Sequence, residues 1–125
     1  MHAEEPAKRI ILLCATRPVP GIENEMEARG IRVRWASSIA AATALLDSAS
    51  NGAVVITELA LRDGNWRDLV ERFRCIGKSV RLALVSQTRT SELWWDALEC
   101  GVEDILLAPL SVSRLCEYLN ISPSW

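Results

Sequence analysis

Five short apolar runs punctuate the 125-residue chain, and a stretch with helical spacing follows each one. Ile10-Ile11-Leu12-Leu13 and Ala53-Val54-Val55-Ile56 are unbroken, as expected of strands covered on both faces. Ile31-Arg32-Val33-Arg34-Trp35 alternates instead, so one face of that strand meets water and the strand belongs at a sheet edge. Residues 80–85 and 105–107 supply a fourth and a fifth strand.

The intervening stretches carry helix starts. Ser37 or Ser38 caps a helix that buries Ile39, Ala42, Leu46 and Ala49 at helical spacing. Asn65 caps the next, with Trp66, Leu69 or Val70, Phe73 and Ile76 on one face. Thr90 or Ser91 opens residues 92–100, and Ser111 opens a helix burying Val112, Leu115, Cys116 and Leu119. Pro18 and Pro20 confine the first helix to about residues 21–29, anchored by Ile22 and Met26. Gly30, Gly52, Gly77 and Gly101 fall at helix ends, where left-handed backbone is needed.

Five βα units predict an α/β fold: one domain over residues 1–125, with a five-stranded parallel sheet in the order 2-1-3-4-5 and helices on both faces. In that topology a site lies at the carboxyl ends of strands 1 and 3, which carry Cys14-Ala15 and Thr57-Glu58.

Composition narrows the function classes. Half the residues are apolar and 24% are charged, which is globular composition. Fourteen basic against sixteen acidic residues give a net charge of −2, which argues against nucleic acid and against a membrane surface as partners. The apolar run after Lys8-Arg9 is too short for a signal and ends in Thr16-Arg17-Pro18, so a cytoplasmic protein is expected. Cys14, Cys75, Cys100 and Cys116 are scattered and the sole histidine is His2, so neither a metal site nor a disulfide framework is expected, nor any cofactor. Without a second histidine to act as base, Ser86 is no activated nucleophile, and an enzyme is not expected.

The segment Val54-Val55-Ile56-Thr57-Glu58-Leu59-Ala60-Leu61-Arg62-Asp63-Gly64 resembles the third strand and following loop of bacterial response-regulator receiver domains. Ala97-Leu98-Glu99-Cys100-Gly101-Val102-Glu103-Asp104-Ile105-Leu106 resembles their passage from helix 4 into strand 5, and Val85-Ser86 and Ala108-Pro109 fall in register. The resemblance spans nearly the whole chain. It implies the (βα)5 flavodoxin-like fold, a place in two-component signalling and a cis Ala108-Pro109 bond. It also implies a site that this chain departs from. Family members hold Mg²⁺ with an acidic pair after strand 1 and a phosphoacceptor Asp after strand 3, and a Lys before the strand-5 proline contacts the phosphoryl group. Here those positions hold Cys14 and Ala15, Glu58, and Ala108; only Ser86, at the switch position, matches. The chain's two lysines, Lys8 and Lys78, stand elsewhere.

One carboxylate does not replace three oxygen ligands, and phosphoryl transfer needs metal and cation to neutralise charge. The expectation is therefore a pseudo-receiver, not phosphorylated on Glu58, working as a protein-interaction module. With the sequence ending at Trp125, soon after the fifth helix, a stand-alone domain without a DNA-binding output domain is expected, and a piece of a longer protein stays open. Two alternatives stay open: a phosphoacceptor receiver using atypical residues, and a sensor of a small anionic ligand held by Arg17, Arg62 and Arg89, loop arginines at the same sheet edge. Glu58 either imitates a phosphorylated acceptor or pairs with one of those arginines. Cys14 is a small apolar filler rather than a redox sensor. Trp94 and Leu98, spaced i,i+4, fall on the outward side of helix 4; with Ile105 and Tyr118 they form the expected docking face for a partner protein or a second copy. In receivers the helix 4–strand 5–helix 5 face serves that purpose.

Overall fold

The two unbroken apolar runs become inner strands of a parallel sheet. The computed structural model describes residues 9–47, 53–77 and 80–120. Its elements run β1 (Arg9–Cys14), α1 (Ile22–Glu27), β2 (Ile31–Ala36), α2 (Ile39–Asp47), β3 (Val54–Glu58), α3 (Trp66–Cys75), β4 (Arg81–Ser86), α4 (Ser91–Glu99), β5 (Asp104–Leu107) and α5 (Val112–Leu119). The strand order is β2-β1-β3-β4-β5 with every pairing parallel, as the alternation of strand and helix predicts. His2, Lys8, Ala49, Gly52, Lys78 and Trp125 lie outside the described residues.

Pleating divides the core into two layers. Ile11, Leu13, Val54 and Ile56 face α1 and α5, where Ile22, Met26, Leu115 and Leu119 cover them. Leu12, Val55 and Leu84 face α2, α3 and α4, against Ala42, Leu69, Phe73 and Ala97. β2 keeps its expected edge pattern, with Ile31 and Val33 buried and Arg32 and Arg34 exposed.

The helix starts follow local chemistry. The Asn65 side chain accepts from the amides of Arg67 and Asp68, while the Asp68 carboxylate accepts from the Asn65 amide, a reciprocal box. Thr90 and Ser111 accept from Leu93 and Arg114, three residues on in each case. Ser38 rather than Ser37 closes the first turn of α2, accepting from Ala41. Gly30, Gly77 and Gly101 take positive φ where the chain leaves α1, α3 and α4.

Two local features depart from expectation. α1 is six residues, shorter than residues 21–29: Gly21 precedes it with φ +88 and no side-chain cap, and beyond Glu27 the amides of Arg29 and Gly30 bond carbonyls three residues back in a tighter turn. Between β3 and α3, Ala60–Leu61 pairs antiparallel with Gly64–Asn65, a ladder too short for a periodicity argument to register.

Candidate functional site

The carboxyl ends of β1 and β3 meet where the chain order of the sheet reverses. Glu58, the last residue of β3, is half-buried there. Its Oε1 accepts from the Thr16 amide at 2.7 Å and from Thr16 Oγ1 at 3.3 Å. A charged acceptor on a backbone amide is among the stronger hydrogen bonds of a protein. The carboxylate thus fastens the loop that leaves β1. Among the described residues no arginine pairs with Glu58, so the expected pairing is corrected: its carboxylate is engaged by the Thr16 amide and hydroxyl instead. Thr16 was the partner missed.

Glu58 borders a cleft of about 230 Å³ between the β1–α1 loop and the loop after β5. Cys14, Ala15, Arg17 and Ala108 also line it, so the structure gathers most of the predicted pocket residues in one place. The remaining walls are apolar: Leu13, Val19, Trp35, Ile56, Val85, Pro109 and Leu110. Trp35 was overlooked in the sequence. The signal for it was present, because it ends the inward-facing series Ile31, Val33, Trp35 at the same edge as Glu58.

Cys14 is buried, and burial pushes its thiol up to about 12, with a Thr57 side-chain hydrogen bond opposing only part of the rise. Such a sulfur stays protonated at neutral pH and is a poor ligand and a poor nucleophile. Ser86 is buried outside the cleft lining; its hydroxyl donates to the Thr88 carbonyl at 2.7 Å and accepts from the Thr88 amide at 3.2 Å. The Ala108-Pro109 bond is cis.

The three arginines do not converge. Arg17 lines the cleft, exposed, with no ion pair to a described residue. Arg89 instead donates through Nε to the Ile105 carbonyl at 2.9 Å and pairs with Asp104 at 3.2 Å. Arg62 is exposed and does not border the cleft. The expected anion cradle of Arg17, Arg62 and Arg89 is therefore corrected to Arg17 alone, because Arg89 satisfies itself on β5. Asp63, beyond the site, serves α2: its two carboxylate oxygens accept from the Ile39 and Ala40 amides at 2.6 and 3.1 Å.

The family's Mg²⁺ needs near-octahedral oxygen ligation. One carboxylate, already engaged by Thr16, beside a protonated thiol and two alanines does not fit it. Among the described residues, no group of three or more His, Cys, Asp or Glu is arranged to hold a metal ion.

A second candidate surface lies on α4. Trp94, Trp95 and Leu98 are 37%, 65% and 43% exposed, and Ala97 is the one buried residue of that helix. Arg89, Thr90 and Ser91 border a shallow hollow with the two tryptophans. Trp95, the more open of the pair, was not singled out beforehand. Ile105, expected on this face, is fully buried; it is corrected to core, since a central position in β5 packs beneath α4. Tyr118 is half-buried and already engaged: its hydroxyl donates to Glu103 Oε1 at 2.6 Å, and the Arg81 guanidinium sits 5.2 Å over its ring.

No family model matches the chain, and no curated protein is significantly similar to it. Solved structures do share its fold. The chemotaxis protein CheY4 of Vibrio cholerae is 17% identical with a TM-score of 0.78, covering 91% of this chain and 98% of its own. The non-phosphorylated HemR receiver domain of Leptospira biflexa is 23% identical with a TM-score of 0.73, covering 94% and 100%. The signal receiver domain of an HD domain-containing protein from Pseudomonas fluorescens is 20% identical with a TM-score of 0.77, covering 95% and 89%. At these identities the likeness is one of fold: the chain has the fold of response-regulator receiver domains.

Proposed function

We propose that this receiver-fold chain is a pseudo-receiver: a signalling module of the two-component type that docks to a partner protein, or to a second copy of itself, without accepting a phosphoryl group. One observation carries the reading. Among the described residues Glu58 is the only carboxylate bordering the cleft, and its Oε1 is engaged by Thr16. With Ala15 and Ala108 in place of charge, the cleft wall offers one exposed cation, Arg17, and no acidic set to hold the metal that a transferring phosphoryl group needs. The proposed role is signalling rather than catalysis.

Docking falls to the outward side of α4. Trp94, Trp95 and Leu98 present exposed apolar side chains on one short helix, and aromatic anchors of this kind dominate interface energetics. Arg67 of α3 pairs with Asp96 of α4, which holds the helix to its neighbour while the tryptophans stay outward. A cytoplasmic location suits such a module; among the described residues no helix is long and apolar enough to cross a membrane.

The test substitutes Trp94→Ala with Leu98→Ala. Sedimentation velocity reads association with a second copy, and cross-linking in native extract reads a partner. Loss of an interface hot spot weakens association by about 2 kcal/mol, roughly thirty-fold, with an unchanged circular dichroism spectrum. Full association in the folded double variant contradicts the assignment of this face.

A further inference from the structure

The cleft at the carboxyl ends of β1 and β3 has the make-up of a small-molecule site. We infer that it binds a small aromatic carboxylic acid, with the ring among Val19, Trp35, Val85 and Leu110 and the carboxylate on Arg17. This inference is independent of docking through α4, because it concerns a different surface.

Size, charge and position all point the same way. The cleft's volume of about 230 Å³ exceeds the roughly 150 Å³ of an apolar cavity that accepts benzene, so it admits one or two fused rings. An aliphatic and aromatic lining around a few polar groups is the usual make-up of a small-molecule site. Trp35 is half-buried and offers a ring for stacking. Arg17 is the one cation on the cleft wall and has no ion pair to a described residue, and its planar fork matches a carboxylate through two parallel hydrogen bonds. Glu58 spends Oε1 on Thr16, while Oε2 has no described partner. A ligand N–H or O–H donor facing that oxygen is accommodated, whereas a bare polyanion is repelled. The position is the crevice where open parallel sheets place their ligands. Cys14 and Ala15 line the cleft without charge, which favours a ring over a metal ion.

The probe is indole-3-acetate, an aromatic acid with a ring N–H donor, titrated calorimetrically into the full chain. Two controls separate the contributions: indole carries the ring without the acid, and inorganic phosphate carries charge without the ring. Saturable binding of indole-3-acetate is expected, with weaker binding of indole and none of phosphate. Arg17→Gln should weaken indole-3-acetate roughly ten-fold or more and leave indole unchanged. Ala15→Phe, which fills the cleft from its half-exposed rim, should abolish both. Circular dichroism confirms that each variant is folded. Three results overturn the inference: no saturable binding of indole-3-acetate, phosphate binding as tightly, or an affinity that neither folded variant changes.

Discussion

Burial holds the Cys14 thiol far above its ordinary value of 9.0, so at neutral pH it stays protonated and offers no thiolate to a metal. Cys116 is buried too, whereas Cys75 is exposed and Cys100 half-exposed. Alkylation of the native protein at neutral pH should therefore label Cys75 first and leave Cys14 untouched until the chain unfolds. Peptide mass mapping over a time course checks this, and labelling of Cys14 as fast as Cys75 would show that its burial is misjudged. Glu58, Cys14, Ala15, Arg17 and Ala108 were legible in the sequence at this site, whereas Trp35 and Thr16 were not. Nor were the contacts. Thr16 binds Glu58 across 42 residues, and only the fold brings β1 beside β3. Loop arginines were expected to collect around the carboxylate because they share its edge. Proximity in topology leaves each guanidinium free to choose its own acceptor, and Arg89 chose the Ile105 carbonyl and Asp104.

At the scale of elements, caps that act within one turn were readable and caps that act across the fold were not. Asn65, Thr90 and Ser111 each bind an amide two or three residues ahead, so residue type and position sufficed. Asp63 caps α2 from 24 residues away, and its position in a receiver-like loop gave no hint of that. Bonds from the Ile39 amide, and then from Ala40, hold the Asp63 carboxyl below its ordinary value of 3.8. A carboxyl depressed on folding adds stability that is full above the ordinary carboxylate range and fades as pH falls through the lowered value. Asp63→Asn should therefore lower stability at neutral pH, and the deficit should shrink toward strongly acid pH. Urea melts of both proteins across that range test it; parallel stability curves would remove Asp63 from the account. Glycine matters at one point of the same loop. A Cβ on Gly64 would lie 2.6 Å from Ile39 Cδ1 and 2.7 Å from Asp68 Oδ2, and Asp68 is fixed by its bond to the Asn65 amide. The close approach of this loop to α2 and α3 thus depends on a residue without a side chain.

For the whole molecule, strand order, the edge position of β2 and the two-layer core followed from hydrophobic periodicity, because period and burial are tightly coupled in a parallel sheet. What periodicity leaves open is depth at the surface. A helical wheel separates Trp94 from Trp95 by about 100°, yet both emerge exposed, since α4 is short and commits only Ala97 fully to the core. The same limit misplaced Ile105, whose strand lies under that helix. The fold shared with receivers and the missing acidic constellation are what the proposed pseudo-receiver, a scaffold without the switch, rests on. The measurement closest to that claim is the intact mass of the full chain after incubation with acetyl phosphate and Mg²⁺, beside a phosphorylatable receiver as control. The account predicts an unmodified mass for this chain while the control gains a phosphoryl group. A stoichiometric phosphoryl adduct on this chain that Glu58→Gln removes would contradict it.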